Sequence, residues 1–176
     1  MTGSHRGARV VLAIHRRAII DTPLAQATSR KRRSMIPLQF AHVAISCQDP
    51  VAVERFYTQH FGFKRARVVR LGEDQVVYIR SGNLCLEVFR AEGDRPAPPA
   101  DKDGPHYPGL RHVAFQVDDI EVKLAEMGSA ARITLGPLNF DDFIPGWRTV
   151  WLADPEDNVI EVSQGYVDED NPPPLK

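Results

Sequence analysis

Two kinds of metal-ligating side chain occur in this chain in the same order, twice. His42 stands in Phe40-Ala41-His42-Val43-Ala44-Ile45 and His112 in Arg111-His112-Val113-Ala114-Phe115, while Glu87 stands in Leu86-Glu87-Val88-Phe89 and Glu161 in Ile160-Glu161-Val162-Ser163. A neutral imidazole nitrogen and a hard carboxylate oxygen together suit a divalent cation. Each copy opens on its histidine and closes on its glutamate, so the repeat duplicates two ligand types along with the backbone. A lone strand histidine is more often a hydrogen-bonded residue than a ligand, and a lone strand glutamate is usually solvated. Four of them at matching places in two copies point to a metal.

The elements that must hold these residues can be read from pattern. Residues 39–47 are β-branched and apolar and predict a strand. Asp49-Pro50 predicts a helix start, because Asp accepts from the orphan amides and Pro is favoured in the first turn. That helix runs through Val53, Phe56 and Tyr57 to a stop at Gly62. Strands follow at 67–70, 75–80 and 84–90, with Gly72 and Ser81-Gly82-Asn83 as turns. In the second copy a strand at 110–117 precedes Asp118-Asp119-Ile120-Glu121, which has capping-box spacing, and a helix ending at Met127-Gly128. Strands at 132–135, 148–153 and 159–164 complete it. The reading is α+β, two β-α-β-β-β modules. Module one spans 37–92 and module two 109–166, joined by a Pro-, Asp- and Gly-rich loop at 93–108 in a domain of 35–170, with a tail at 167–176.

Strand parity then sorts the faces. His42, Ala44 and Ser46 share one face, as do Cys85, Glu87 and Phe89, then His112, Ala114 and Gln116, then Val159, Glu161 and Ser163. The large aliphatics take the opposite face and should pack under the helices. The ligand face is expected to line a cavity.

Charge excludes some partners. Residues 1–34 carry eight basic side chains against one acid, Asp21, whereas the remainder carries 14 basic against 22 acidic. An acidic body excludes a nucleic-acid face built from clustered Lys and Arg, and no apolar run is long enough to cross a bilayer. The basic leader reads as a transit peptide, as a tail for nucleic acid or an anionic surface, or as sequence upstream of a start at Met35. The last, or plain disorder, is the reading adopted, and no site residue is placed there. Cys47 and Cys85 lie in apolar strand runs and read as buried thiols of a cytoplasmic protein, not as a disulfide framework.

At these residues the chain resembles the vicinal oxygen chelate superfamily, which contains glyoxalase I, methylmalonyl-CoA epimerase, extradiol dioxygenases and fosfomycin- and bleomycin-resistance proteins. The likeness spans about 38–166 in order and spacing. It includes Phe56-Tyr57 to Gly62-Phe63, His112-Val113-Ala114-Phe115-Gln116-Val117-Asp118-Asp119, and Asp154-Pro155 to Asn158-Val159-Ile160-Glu161. It implies paired modules forming a curved mixed sheet around a metal-binding cavity. The implied ligands are His42, Glu87, His112 and Glu161, and the implied cofactor is a divalent ion: nickel, zinc, cobalt, manganese or iron. The modules could close one cavity within a chain or share sites between two chains, and a homodimer is the commoner outcome in the superfamily. A carboxylate at position 87 looks most like glyoxalase I; extradiol dioxygenases and fosfomycin-resistance enzymes leave that position non-ligating, and the epimerases typically place an amide there.

By the same resemblance Glu161 is the proton-transfer base and Glu87 its partner for the opposite face, while His42 and His112 are fixed ligands. Ser46 and Ala91 stand where bacterial-type glyoxalase I has an Arg and an Asn for glutathione, so those determinants are missing or rebuilt. For a small-molecule substrate the expected contacts are Ser46, Phe89, Gln116, Trp147 and Arg148. Arg148 could clamp a carboxylate or phosphate, and Trp147 or Phe143 could cover the substrate. The alternative is a core Trp147 and a surface ion pair at Arg148. His60 and His106 read as exposed, and Tyr57 and Phe61 as core. The expected function is a metal-dependent glyoxalase-type isomerase or lyase acting on a small α-oxo or α-hydroxy substrate or its thiol adduct. The alternatives are an extradiol-type dioxygenase with iron or manganese, and a non-catalytic binding or resistance protein.

Overall fold

The structure is a computed structural model that describes residues 38–96, 98, 99 and 101–175. The basic leader at 1–34 lies outside them. Module one contains β1 (Val43–Cys47), α1 (Pro50–His60), β2 (Lys64–Leu71), β3 (Asp74–Ser81) and β4 (Leu84–Arg90). Module two contains β5 (Val113–Gln116), α2 (Ile120–Met127), β6 (Arg132–Asn139), β7 (Arg148–Ala153) and β8 (Val159–Gln164). Each module makes one four-stranded mixed sheet, ordered β1-β4-β3-β2 and β5-β8-β7-β6. In both, the first strand runs parallel to the last and the other pairs are antiparallel. The α+β class and the duplicated β-α-β-β-β order are as the sequence indicates.

The boundaries differ in informative places. The ladders begin at Val43, paired with Leu86, and at Val113, paired with Ile160, so each histidine stands just outside its strand. β6 runs on to Asn139 through Gly136-Pro137, which reads as a strand breaker in sequence. A register shift between Leu135 and Leu138 absorbs that pair. Gly136 is required there: its φ is +89°, and a Cβ would lie 3.0 Å from the Thr149 carbonyl oxygen. The capping box at 118–121 does not form. Asp119 is the N-cap, accepting from Val122 N at 3.0 Å, which places Glu121 one residue too early to reciprocate.

Both sheets bury their helix sides in a single core. Val53 and Tyr57 of α1, Ile79, Leu86 and Val88 of module one and Ile120, Val150, Leu152, Ile160 and Val162 of module two form one apolar cluster. Phe115 of β5 seals the junction, its ring centroid 4.7 Å from that of Phe61 and 6.0 Å from that of Phe63. Polar contacts cross the same seam. The Tyr57 hydroxyl donates to Asp154 Oδ2 at 3.1 Å, and the Glu156 carboxylate accepts from Gln48 N at 2.9 Å and Asp49 N at 2.8 Å. Asp49 in turn caps α1 by accepting from Val51 N and Ala52 N, a contact of a type that contributes about 1 kcal/mol. Because Leu86, Val88, Ile160 and Val162 point into the shared core, the alternating Glu87 and Glu161 point away from it.

Candidate functional site

The structure draws the expected ligands into two like pairs, one in each module. His42 Nε2 lies 3.0 Å from Glu87 Oε2, and His112 Nε2 lies 2.8 Å from Glu161 Oε2. Register explains the match: Ala44 pairs with Glu87 across β1 and β4, and Ala114 pairs with Glu161 across β5 and β8. Each small alanine leaves room for the glutamate, and each histidine, two residues earlier on the same face, reaches across to it. Two nitrogen or oxygen donors about 2.1 Å from one ion and at right angles to each other lie about 3.0 Å apart. Both pairs have that spacing, and both keep the donor atoms partly accessible. The same spacing suits an ion pair with a protonated histidine.

The two pairs do not meet. Among the described residues no group of three or more His, Cys, Asp or Glu side chains is placed to share an ion. The shared core is the reason, since both sheets turn their ligand faces away from it. The described residues therefore present two separate His–Glu pairs.

The two pairs are held differently. His112 has its other ring nitrogen, Nδ1, 2.7 Å from the Asp103 carbonyl oxygen. Assigning the proton to Nδ1 makes this a donated bond that aims Nε2 at Glu161, the support usual behind a metal-bound histidine. Glu87 is held at both oxygens, by His42 at Oε2 and by the Tyr78 hydroxyl donating to Oε1. That bond, with burial and the charge of Glu87, pushes the Tyr78 phenol above its ordinary value. Among the described residues Glu161 is held at one oxygen only, by His112.

Glu161 opens into a cavity of about 300 Å³ lined also by Ala114, Phe115, Gln116, Trp147, Ser163 and Tyr166. Trp147 Nε1 donates to Ser163 Oγ at 3.1 Å, and its ring packs on Phe140 and Tyr166 with centroids 4.7 and 5.7 Å away. Gln116 Nε2 donates to the Tyr166 carbonyl oxygen at 3.3 Å. Trp147 and Gln116 are thus where a substrate near Glu161 would touch them. A larger cavity of about 430 Å³ lies between the modules; it is lined by Ser46 and His112 but by neither glutamate of the pairs. Phe89 shares the face of Glu87, two residues along β4.

Arg148 does not join this group. Its guanidinium lies 2.8 Å from Glu121 Oε1 on α2, because Arg148, Val150 and Leu152 share the helix side of β7. The clamp expected there is replaced by the surface ion pair. Phe143 is 77% exposed, His106 is exposed, and Tyr57 is buried in the core. Sequence reasoning missed Tyr78 and Trp151, the residues opposite the two glutamates on β3 and β7. Parity alone places both on the ligand faces, but only the register puts them beside Glu87 and Glu161.

The family model for the Glyoxalase/Bleomycin resistance protein/Dioxygenase superfamily matches residues 39–162. The chain belongs to that superfamily. The Bacillus subtilis (strain 168) protein YwkD is 27% identical over 124 residues, covering 69% of this chain and 92% of its own length. A glyoxalase family protein from Enterococcus faecalis superposes with a TM-score of 0.57 at 29% identity, over 72% of this chain and 97% of its own. The fosfomycin resistance protein FosX from Listeria monocytogenes, in complex with Mn(II) and sulfate, has a TM-score of 0.53 at 10% identity, over 75% of this chain and 96% of its own. That last likeness is one of fold alone. The superfamily holds glyoxalase I, fosfomycin-resistance proteins and dioxygenases on one architecture, so membership leaves the reaction to be argued from the residues.

Proposed function

We propose that this protein is a metal-dependent, glyoxalase-type isomerase or lyase. It transfers a proton on a small α-oxo or α-hydroxy substrate or on its thiol adduct. The supporting observation is the pair of His–Glu contacts at ligand spacing on faces turned away from a shared core. Two half-sets that do not meet among the described residues become one set if His42 and Glu87 of one protomer join His112 of the partner subunit and Glu161 of the partner subunit. The active form is accordingly a homodimer, and the donor set is two imidazoles and two carboxylates. A divalent metal bound there supplies Lewis-acid stabilisation to negative charge on adjacent substrate oxygens.

The residues then divide the work. His112, backed by the Asp103 carbonyl, and His42 hold position. Glu87, engaged at both oxygens, stays in place. Glu161 has a free oxygen facing the cavity, so it accepts the substrate C–H proton and returns it at the neighbouring carbon. One proton leaves and one arrives, and no external oxidant or reductant is needed. Trp147 and Gln116 wall the cavity and keep water from quenching the carbanion-like charge.

Metal analysis of purified protein, with the same analysis on His42→Ala and Glu161→Gln, tests this reading. Both substitutions are expected to lower bound metal. Unchanged metal in both would overturn the ligand assignment, and a metal-replete protein that consumes oxygen with iron would point to a dioxygenase instead.

A further inference from the structure

We propose that the substrate carries an anionic group, a carboxylate or phosphoryl, and that Arg67 receives it, flanked by Arg80 and Lys64. This rests on the reading of the Glu87 face as part of the substrate site. The key feature is a bulge in β2. Lys64 pairs with Arg80, Arg65 with Ile79, and Arg67 with Tyr78, so one extra residue is inserted between Arg65 and Arg67. Residues 64 and 67 would face opposite ways in a regular strand; the bulge brings both to the face of Tyr78 and Arg80. Bulges of this kind re-aim side chains and are over-represented beside active sites.

That face is the one bearing Glu87. Ala44, Glu87, Tyr78 and Arg67 form one row across the sheet. With strands about 4.8 Å apart, Arg67 starts about 10 Å from Glu87, within reach of a small molecule held there.

Among the described residues none of Lys64, Arg67 and Arg80 makes an ion pair, and all three are exposed. Lys64 lies directly opposite Arg80, an arrangement of like charges that is destabilising in a ladder, and a bound anion would relieve it. Arg65, two residues before Arg67 on the same strand, sits on the other face and is bound at 2.6 Å through Nε and Nη2 to Glu54.

Module two shows what the same backbone does without this task. Its β6 has the same bulge, with Arg132 opposite Ala153, Ile133 opposite Leu152 and Leu135 opposite Trp151. Leucine replaces Arg67, and Arg132 is tied to Asp157 Oδ1 at 2.7 Å and to the Asp154 carbonyl oxygen. Among the described residues the duplicated bulge presents cations without an ion-pair partner only in module one.

Three probes sharing a hydroxyketone core separate the chemistries: neutral dihydroxyacetone, hydroxypyruvate with a carboxylate, and dihydroxyacetone phosphate. Each is titrated into metal-loaded protein at constant ionic strength, with affinity read by calorimetry and by backbone amide shifts on β2 and β3. At least one anionic probe is expected to bind about tenfold tighter than dihydroxyacetone or more, and which of the two does so identifies the group. Arg67→Ala should abolish that preference, Arg67→Lys should keep part of it, and Arg70→Ala, on the opposite face, should change nothing. Equal affinity for all three probes overturns the proposal. So does failure of all three to bind at millimolar concentration, or a preference that survives Arg67→Ala, in which case the cations only solvate an edge strand. Metal content of the same samples distinguishes the failures: retained metal without anion preference sinks this inference alone, whereas absence of metal sinks the proposed reaction.

Discussion

Opposite each glutamate stands a different aromatic. In module one it is Tyr78, whose hydroxyl donates to Glu87. In module two it is Trp151, whose indole N–H is buried without a hydrogen-bond partner among the described residues. The neighbouring positions diverge in the same sense. Arg67 and Val76 of module one correspond to Leu135 and Thr149 of module two, and Phe89 corresponds to Ser163. The duplicated backbone has kept the His–Glu pairs and their register, while the surroundings have made one carboxylate a fixed group and the other a free one. Symmetry in the ligand set therefore does not imply symmetry of role.

The largest test of that contrast replaces each glutamate in turn at saturating metal. Glu161→Gln should slow exchange of the substrate proton with solvent by about 100-fold or more, the scale of losing a general base. Glu87→Gln should cost clearly less, and equal losses would erase the division of labour. A smaller effect is expected opposite the glutamates. Tyr78→Phe removes a donor behind a ligand and should weaken metal binding about tenfold, measured by competition with a chelator. Trp151→Phe removes an N–H that holds nothing, so metal affinity should stay near the wild-type value.

The smallest effect concerns pH and centres on Asp154, which follows β7 at the seam with Tyr57. Burial raises the Asp154 carboxyl above its ordinary value, against hydrogen bonds from Asn158, Glu156 and Tyr57 that favour the ionised form. An acid raised in the folded state favours folding while protonated. Its contribution is complete below the unfolded value near 3.8 and is lost as pH rises through the folded one. In urea unfolding followed from acid to neutral pH, Asp154→Asn should lack this loss, so its stability relative to wild type rises with pH. A pH-independent difference would mean that the carboxyl titrates alike in both states.

Much of the fold was legible because the chain states it twice. Alternation in 84–90 and 159–164, Asp49-Pro50 before α1 and Gly62 after it are local signals with local causes. The two His–Glu pairs were legible for the same reason, since parity already set Glu87 and Glu161 against the aliphatics. What could not be read was anything fixed by register or by packing between modules. The bulge at Arg65–Arg67 depends on how β2 meets β3, and the direction of Arg148 depends on how β7 lies under α2. The separation of the two His–Glu pairs depends on a core shared by both modules, which no single strand encodes.

Glu156 carries a consequence beyond the site. Its carboxylate belongs to the turn before β8 yet receives the backbone amides at the entry to α1, more than a hundred residues earlier. A repeat born as two copies has thus lost its separability: each half leaves donors or acceptors stranded without the other. Cutting the chain within 93–108 should yield fragments that reassemble by complementation, not two autonomous miniature proteins.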